Sequence, residues 1–224
     1  MKEINVSKIT DVVKELCIKA NKNLPCDIID KITTFKDRET NERAVHILKD
    51  LEKNIEVSGL MDLPLCQDTG MAVVFLKVGQ DVHLVGGDLT EAVNEGVRQG
   101  YEEGLLRKSV VADPIRRGNT NDNTPAVIHT EIVSGDSVEI TVAPKGFGSE
   151  NMSGVRMLVP AAGREGVINA VLDIVKNAGS NPCPPMVIGV GIGGDFEQCA
   201  LLSKKALCRS LETSNSNPFY AEME

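Results

Sequence analysis

"AVIHTEIVSGDSVEITVAP", residues 126–144, decides how the chain folds. Val127, His129, Glu131 and Val133 alternate against Ile128, Thr130 and Ile132, the period of a half-buried strand, and "SGD" then marks a turn before a second apolar run. The stretch predicts a hairpin in which His129 is an ordinary strand residue. Upstream, Met71 to Val78 and Val82 to Val85 read as a strand pair joined through "GQD". Helical periods surround these strands. Ile9, Val12, Val13, Leu16, Cys17 and Ala20 predict an amphipathic helix over 7–21 with Cys17 on its core face. Ala44, Val45, Leu48, Leu51 and Ile55 predict a second helix ending at Gly59, so the first 60 residues look all-helical.

Further along, "DLTE" at 88–91 matches a capping box opening a helix to about residue 107. Pro160 to Ala178 reads as a helix, "MVIGVGI" at 186–192 as a buried strand, and Phe196 to Arg209 as a helix whose Cys199 and Cys208 pack inside. Regular βαβ alternation is missing, so one doubly wound parallel sheet is not expected. The expected class is α+β: an N-terminal helical segment on a mixed, largely antiparallel sheet body covered by helices. Residues 1–224 read as one domain with a helical subregion over 1–60, since no repeat, charge block or low-complexity linker divides them. At the far end, Asn217 suits an N-cap and Pro218 the first helical position, which predicts a helix continuing past residue 224 and a chain cut short at its C-terminus.

Composition narrows the function. A length of 224 residues with 42% apolar content supports a substantial core, and a formal net charge of -8 provides no field to draw in nucleic acid or an anionic membrane surface. No apolar stretch approaches the roughly 20 residues that span a bilayer. A cytoplasmic location is expected. The six cysteines, at 17, 26, 66, 183, 199 and 208, form no C-x-x-C pair in a chain too large to need disulfide staples, so reduced thiols are expected.

Chemistry concentrates in a few short stretches. "LPLCQDTGMAVVF", residues 63–75, lines up a thiol, an amide, a carboxylate and a hydroxyl (Cys66, Gln67, Asp68, Thr69) at the mouth of an apolar run. The stretch is either a polar turn or a functional loop held by a buried strand. Cys183 stands between Pro182 and Pro184, a stiff presentation that suits a metal ligand or a structural turn. "APKGFGSEN" at 143–151 has two glycines around Phe147 and reads as an anion-binding nest or an irregular loop. Arg107 either clamps a carboxylate through its planar fork, or is simply solvated or caps helix carbonyls. "GVGIGG" at 189–194 satisfies G-x-G-x-x-G, but polar "LETSNSNPFY" follows where a second parallel strand would be needed. Tight strand-to-helix packing, or a helix N-terminus placed near an anionic ligand, therefore explains those glycines better than a dinucleotide.

Taken together, "PLCQDTG", "NTNDNTPAVIH", "PKGFGSENMS", "NPCPP" and "GVGIGGDFE" resemble, in order and over nearly the whole chain, the alpha subunit of iron-sulfur class I fumarate hydratases and of their relatives the L-tartrate dehydratases. The resemblance implies a hydro-lyase carrying a 4Fe-4S cluster, with Cys66 and Cys183 as two of three cluster ligands and the third outside this chain. It gives Asp68 an acid/base role, makes Gln67 a catalytic residue that also bonds a substrate carboxylate, and puts Arg107 and the Gly148 backbone N–H in substrate binding. It further implies a beta subunit or C-terminal domain that completes the site, a small dicarboxylate substrate, and an oligomer. The "KGFGSEN" and "GIGGDFE" segments look more like fumarase than tartrate dehydratase versions. A non-catalytic binding or regulatory module with the same fold is the reading from another class.

Overall fold

A computed structural model describes residues 2–224. The strands are β1 (Lys2–Asn5), β2 (Met71–Gly79), β3 (Val82–Val85), β4 (Val127–Val133) and β5 (Val138–Lys145). The helices are α1 (Val6–Lys22), α2 (Cys26–Arg38), α3 (Glu42–Met61), α4 (Leu89–Glu103), the single turn α5 (Phe147–Glu150), α6 (Gly163–Ala178), α7 (Phe196–Ala206) and α8 (Pro218–Ala221), with a 3-10 turn over Pro160–Ala162. The class is α+β, as the periodicities predict. The chain divides into two compact units, one of residues 1–25 and 33–147, the other of 26–32 and 148–224. No composition shift marks that division.

In the first unit the sheet is mixed, but its pairing differs from the sequence expectation. β4 and β5 do not pair with each other. β2 lies between them, parallel to β4 (Val73 opposite Val127) and antiparallel to β5 (Met71 opposite Lys145). The stretch 126–144 is thus a split hairpin. The reason lies in β2, whose residues 72–76 are buried as a continuous run. A strand covered on both faces is the natural centre of a sheet and needs ladder partners on both edges, whereas β4 and β5, with no buried residue, suit the flanks. The "SGD" turn crosses the end of β2 closely enough that the N–H groups of Gly79, Gln80 and Asp81 bond to the carbonyls of Ser137, Val133 and Gly135. β3 does not pair with β2 either, because both edges of β2 are taken. It runs parallel to β1, opposite Lys2 to Asn5. Among the described residues two of the three ladders are therefore parallel, and the antiparallel share is smaller than expected.

The core forms where α1 and α4 pack together over this sheet. Ile9, Val13 and Cys17 from α1 meet Val93, Val97 and Tyr101 from α4 and Ala72, Val74 and Leu76 from β2. Each fully buried aliphatic side chain there contributes about 1.5–3 kcal/mol relative to exposure. Cys17 sits on the predicted core face, and burial pushes its thiol up to about 12. His129 stacks on Phe75, its register partner in β2, with ring centroids 5.2 Å apart. Asp88 caps α4 by accepting from the Glu91 N–H, as "DLTE" predicts. Gly96 and Gly100, one helical turn apart, let α4 approach α1 closely: a Cβ on Gly96 would lie 2.6 Å from the Thr10 carbonyl oxygen, and one on Gly100 2.8 Å from the Cys17 Cβ.

Between α4 and β4 the chain makes a long polar excursion, pinned before β4 by Asp122. Its carboxylate accepts from the Thr124 N–H (3.0 Å), the Thr124 hydroxyl (2.8 Å) and the Arg98 Nε (3.1 Å). Desolvation alone would raise the Asp122 carboxyl, but these donors outweigh it and hold the group at about 2.

In the second unit the expected helices form, as α6 and α7, and Asn217 caps α8 by accepting from the Phe219 N–H. Asp27 of α2 belongs here, accepting from the Leu211 N–H and the Ser210 hydroxyl. Residues 186–192 are not a strand. They are extended, with Val187, Ile188, Val190 and Ile192 exposed, and no described neighbour offers them a ladder. Their glycines do pack against a helix: a Cβ on Gly189 or Gly191 would fall 2.1 or 2.0 Å from a carbonyl oxygen of α7. Cys199 is half-buried and Cys208 exposed, so neither thiol is the interior packing group expected.

Gly96→Ala and Gly100→Ala should each destabilise the protein by about 1–3 kcal/mol through overpacking, against the ~1 kcal/mol that alanine gains in a helix. Gly59→Ala, in α3 with nothing within 4 Å of the added Cβ, should instead be neutral or stabilising, and urea unfolding of all three variants checks the contrast. The Asp122 carboxyl lies below its usual ~3.9, so its stabilisation is present above about pH 4 and lost as pH falls toward 2. The stability gap between wild type and Asp122→Asn should be flat above about pH 5 and shrink below about pH 4. A gap unchanged at pH 3 would show that Asp122 is not held this way.

Candidate active site

The loop of residues 62–70 leaves α3 and enters β2, and its course is fixed by neighbours on both sides. The Leu65 N–H donates to the Asn21 carbonyl at 2.9 Å, and the Asn54 amide donates to the Leu65 carbonyl at 2.8 Å. At the other end Gly70 adopts a left-handed φ of 64°, and a Cβ there would lie 2.3 Å from the Lys145 carbonyl oxygen. Only glycine meets both conditions.

Between these anchors the loop displays its reactive groups. Cys66 is exposed, its thiol 3.3 Å from the Gln67 Oε1 and 3.5 Å from the Asp68 N–H, which donates to it. Gln67 is exposed and Asp68 half-buried. The Asp68 carboxylate is held at both oxygens: Oδ1 accepts from the Gly70 N–H at 3.2 Å, and Oδ2 from the Phe147 N–H at 3.1 Å. Of the "APKGFGSEN" stretch, the Phe147 N–H is thus directed at the Asp68 carboxylate. Gly146 leaves room for it, since a Cβ there would stand 3.0 Å from Asp68 Oδ2.

Thr69 and Gly70 turn inward. The buried Tyr101 hydroxyl donates to the Thr69 carbonyl at 2.8 Å and reaches the Gly70 carbonyl at 3.2 Å, while the fully buried Asn123 amide donates to the same Gly70 carbonyl at 3.0 Å. Burial raises the Tyr101 phenol above its ordinary range, which keeps it a neutral donor. The Thr69 hydroxyl accepts from the Arg107 N–H at 2.9 Å and donates to the Arg107 carbonyl at 3.1 Å. Arg107 therefore lies beside the loop through its backbone, with an exposed side chain. Cys66, Gln67, Asp68 and Arg107 are brought together in the first unit.

Gly148 and Cys183 fall in the second unit. Gly148 lies against the loop before Cys183, where a Cβ on it would meet the Asn181 carbonyl oxygen at 2.9 Å. Cys183 is exposed with a left-handed φ of 56°, its N–H bonded to the Ser180 carbonyl at 3.0 Å. Both Cys66 and Cys183 are free thiols on tightly turned loops, the donor chemistry a soft metal site requires. Among the described residues no group of three or more His, Cys, Asp or Glu side chains gathers at one point. Sequence reasoning missed Tyr101 and Asn123. Asn123 stands inside the quoted "NTNDNTPAVIH", but its bonding to residue 70 has no local signal. No described helix is long and apolar enough to cross a membrane.

Residues 10–224 match the family described as Fumarate hydratase (Fumerase). The chain is 38% identical over 223 residues to a protein of Methanocaldococcus jannaschii named Putative L(+)-tartrate dehydratase subunit alpha, covering 97% of this chain and 78% of that one. It is 32% identical over 226 residues to the L(+)-tartrate dehydratase subunit alpha of Escherichia coli K12, covering 100% of this chain and 74% of that one. The same figures hold for the protein of that name from Shigella sonnei. Matched over residues 10–224 and 32–38% identical to these relatives over nearly its whole length, the chain belongs to the fumarate hydratase family of hydro-lyases.

Proposed function

We propose that this chain is the alpha half of a two-part hydro-lyase that adds and removes water across the central carbons of a four-carbon dicarboxylate, interconverting fumarate and L-malate. The observation that carries the reading is Asp68: a carboxylate fixed at both oxygens, two residues from an exposed thiol and beside the backbone of Arg107. Hydration needs a proton donor and acceptor near the reacting carbon and cationic or N–H clamps for two carboxylates. Asp68 supplies the first, holding or moving the proton on a carboxylate oxygen that the Gly70 and Phe147 N–H groups keep in place. Arg107, with its planar fork, and the Gln67 amide supply clamps. The Gly148 N–H is a further donor to the substrate.

Cys66 and Cys183 would hold a 4Fe-4S cluster together with a third thiolate outside this chain. When bound, the cluster supplies Lewis acidity that weakens the bond to the departing hydroxyl. The relatives are named as alpha subunits, which supports a beta partner that brings the other proton-transfer residue and further clamps. A second reading, L-tartrate dehydration, is favoured by the names of those same relatives.

Co-expression with the beta partner, anaerobic cluster reconstitution, and parallel assays on L-malate and L-tartrate test both readings. Asp68→Asn should lower kcat by about 10²–10⁴ with iron content unchanged, because the amide keeps the shape but exchanges no proton. Cys66→Ser should lose iron, and Arg107→Lys should mainly raise KM, since a point charge replaces a bidentate fork. A cluster-loaded complex inactive on both substrates would favour a binding module instead.

A further inference from the structure

We propose that Thr69 is a positioning residue that sets where Arg107 stands relative to Asp68, and so governs the binding of a substrate carboxylate. This rests on the hydro-lyase reading of the same loop. Arg107 lies beyond the end of α4 in backbone that belongs to no helix or strand, so no ladder holds it. One side chain does so instead. Thr69 is 3% exposed, and its hydroxyl satisfies both the N–H and the carbonyl of Arg107, at 2.9 and 3.1 Å across 38 positions of sequence. A hydroxyl has one proton and two lone pairs, so a single threonine can bond in both directions at once.

A second strap runs beside the first. Asn123 Oδ1 accepts from the Ser109 and Val110 N–H groups at 2.7 and 3.1 Å while its amide nitrogen donates to the Gly70 carbonyl. Residues 107–110 are thus tied by side chains to residues 69–70, immediately after Asp68. The proton-handling carboxylate and the clamping guanidinium share one short rigid connection. A clamp displaced by about 1 Å loses much of its orienting effect, so a break here should fall on substrate binding.

Thr69→Val keeps the shape but leaves the Arg107 N–H and carbonyl unpaired, whereas Thr69→Ser keeps the hydroxyl. In the anaerobically reconstituted complex, Thr69→Val should raise KM by about 10- to 100-fold on whichever of L-malate and L-tartrate the wild type turns over, with kcat within about threefold and iron content unchanged. Thr69→Ser should restore KM to within about threefold of wild type. Hydrogen exchange read by mass spectrometry should show peptides covering 107–110 exchanging faster in Thr69→Val than in Thr69→Ser. If Thr69→Val does not accumulate as folded protein, Thr69→Ala is read the same way. An unchanged KM, a serine variant as impaired as the valine one, or unchanged exchange at 107–110 overturns the proposal. A cluster-loaded wild type inactive on both substrates sinks the hydro-lyase reading instead, and with it the substrate role of the strap, while the exchange measurement still decides whether the strap exists.

Discussion

The carbonyl groups of Thr69 and Gly70 point into the protein, and everything the candidate site does depends on their being satisfied there. Tyr101 and Asn123, both completely buried, supply the donors. A buried carbonyl left without a partner costs about 1–3 kcal/mol, so this small set of bonds fixes the path of the chain at the mouth of β2. Once residues 69 and 70 are fixed inward, Asp68 is turned toward the Phe147 and Gly70 N–H groups and Cys66 toward solvent. The same inward face places the Thr69 hydroxyl against Arg107. Tyr101 belongs to the apolar core of α1, α4 and β2 on one side and to the loop on the other. The stability of the core and the geometry of the loop are therefore one problem.

Much of this was legible in the sequence because the signals are local. The apolar run after "CQDTG" is β2, "DLTE" caps α4, and Cys17 lies on the core face of α1. Strand pairing was not legible. The alternation in 126–144 and its "SGD" turn specify two strands and a reversal, but nothing local says that a third strand slips between them. What decides it is that β2 is buried on both faces and needs two partners, a property of the whole sheet. The apolar stretch 186–192 failed in the opposite way, since composition alone cannot make a strand where no ladder is offered.

The site residues divide along the same line. Cys66, Gln67, Asp68, Gly148 and Cys183 stand out as candidates because they lie in short motifs, and Arg107 because the resemblance points to its position. Thr69, Tyr101 and Asn123 hold the candidate loop in place through bonds spanning 31 to 53 positions, which no window of sequence displays. Gly96 and Gly100 belong to this second kind, since their spacing shows its purpose only against the backbone of α1.

The central claim is that Asp68, fixed by two backbone N–H groups, handles the proton of a dicarboxylate hydration. The most direct measurement is deuterium incorporation at the methylene carbon of L-malate in D2O, followed by mass spectrometry with the iron-loaded complex. One deuterium should enter with wild type, and with Asp68→Asn at equal iron content it should enter about 10²–10⁴ times more slowly. Incorporation by Asp68→Asn at the wild-type rate, or none by a fully loaded wild type, would contradict the claim.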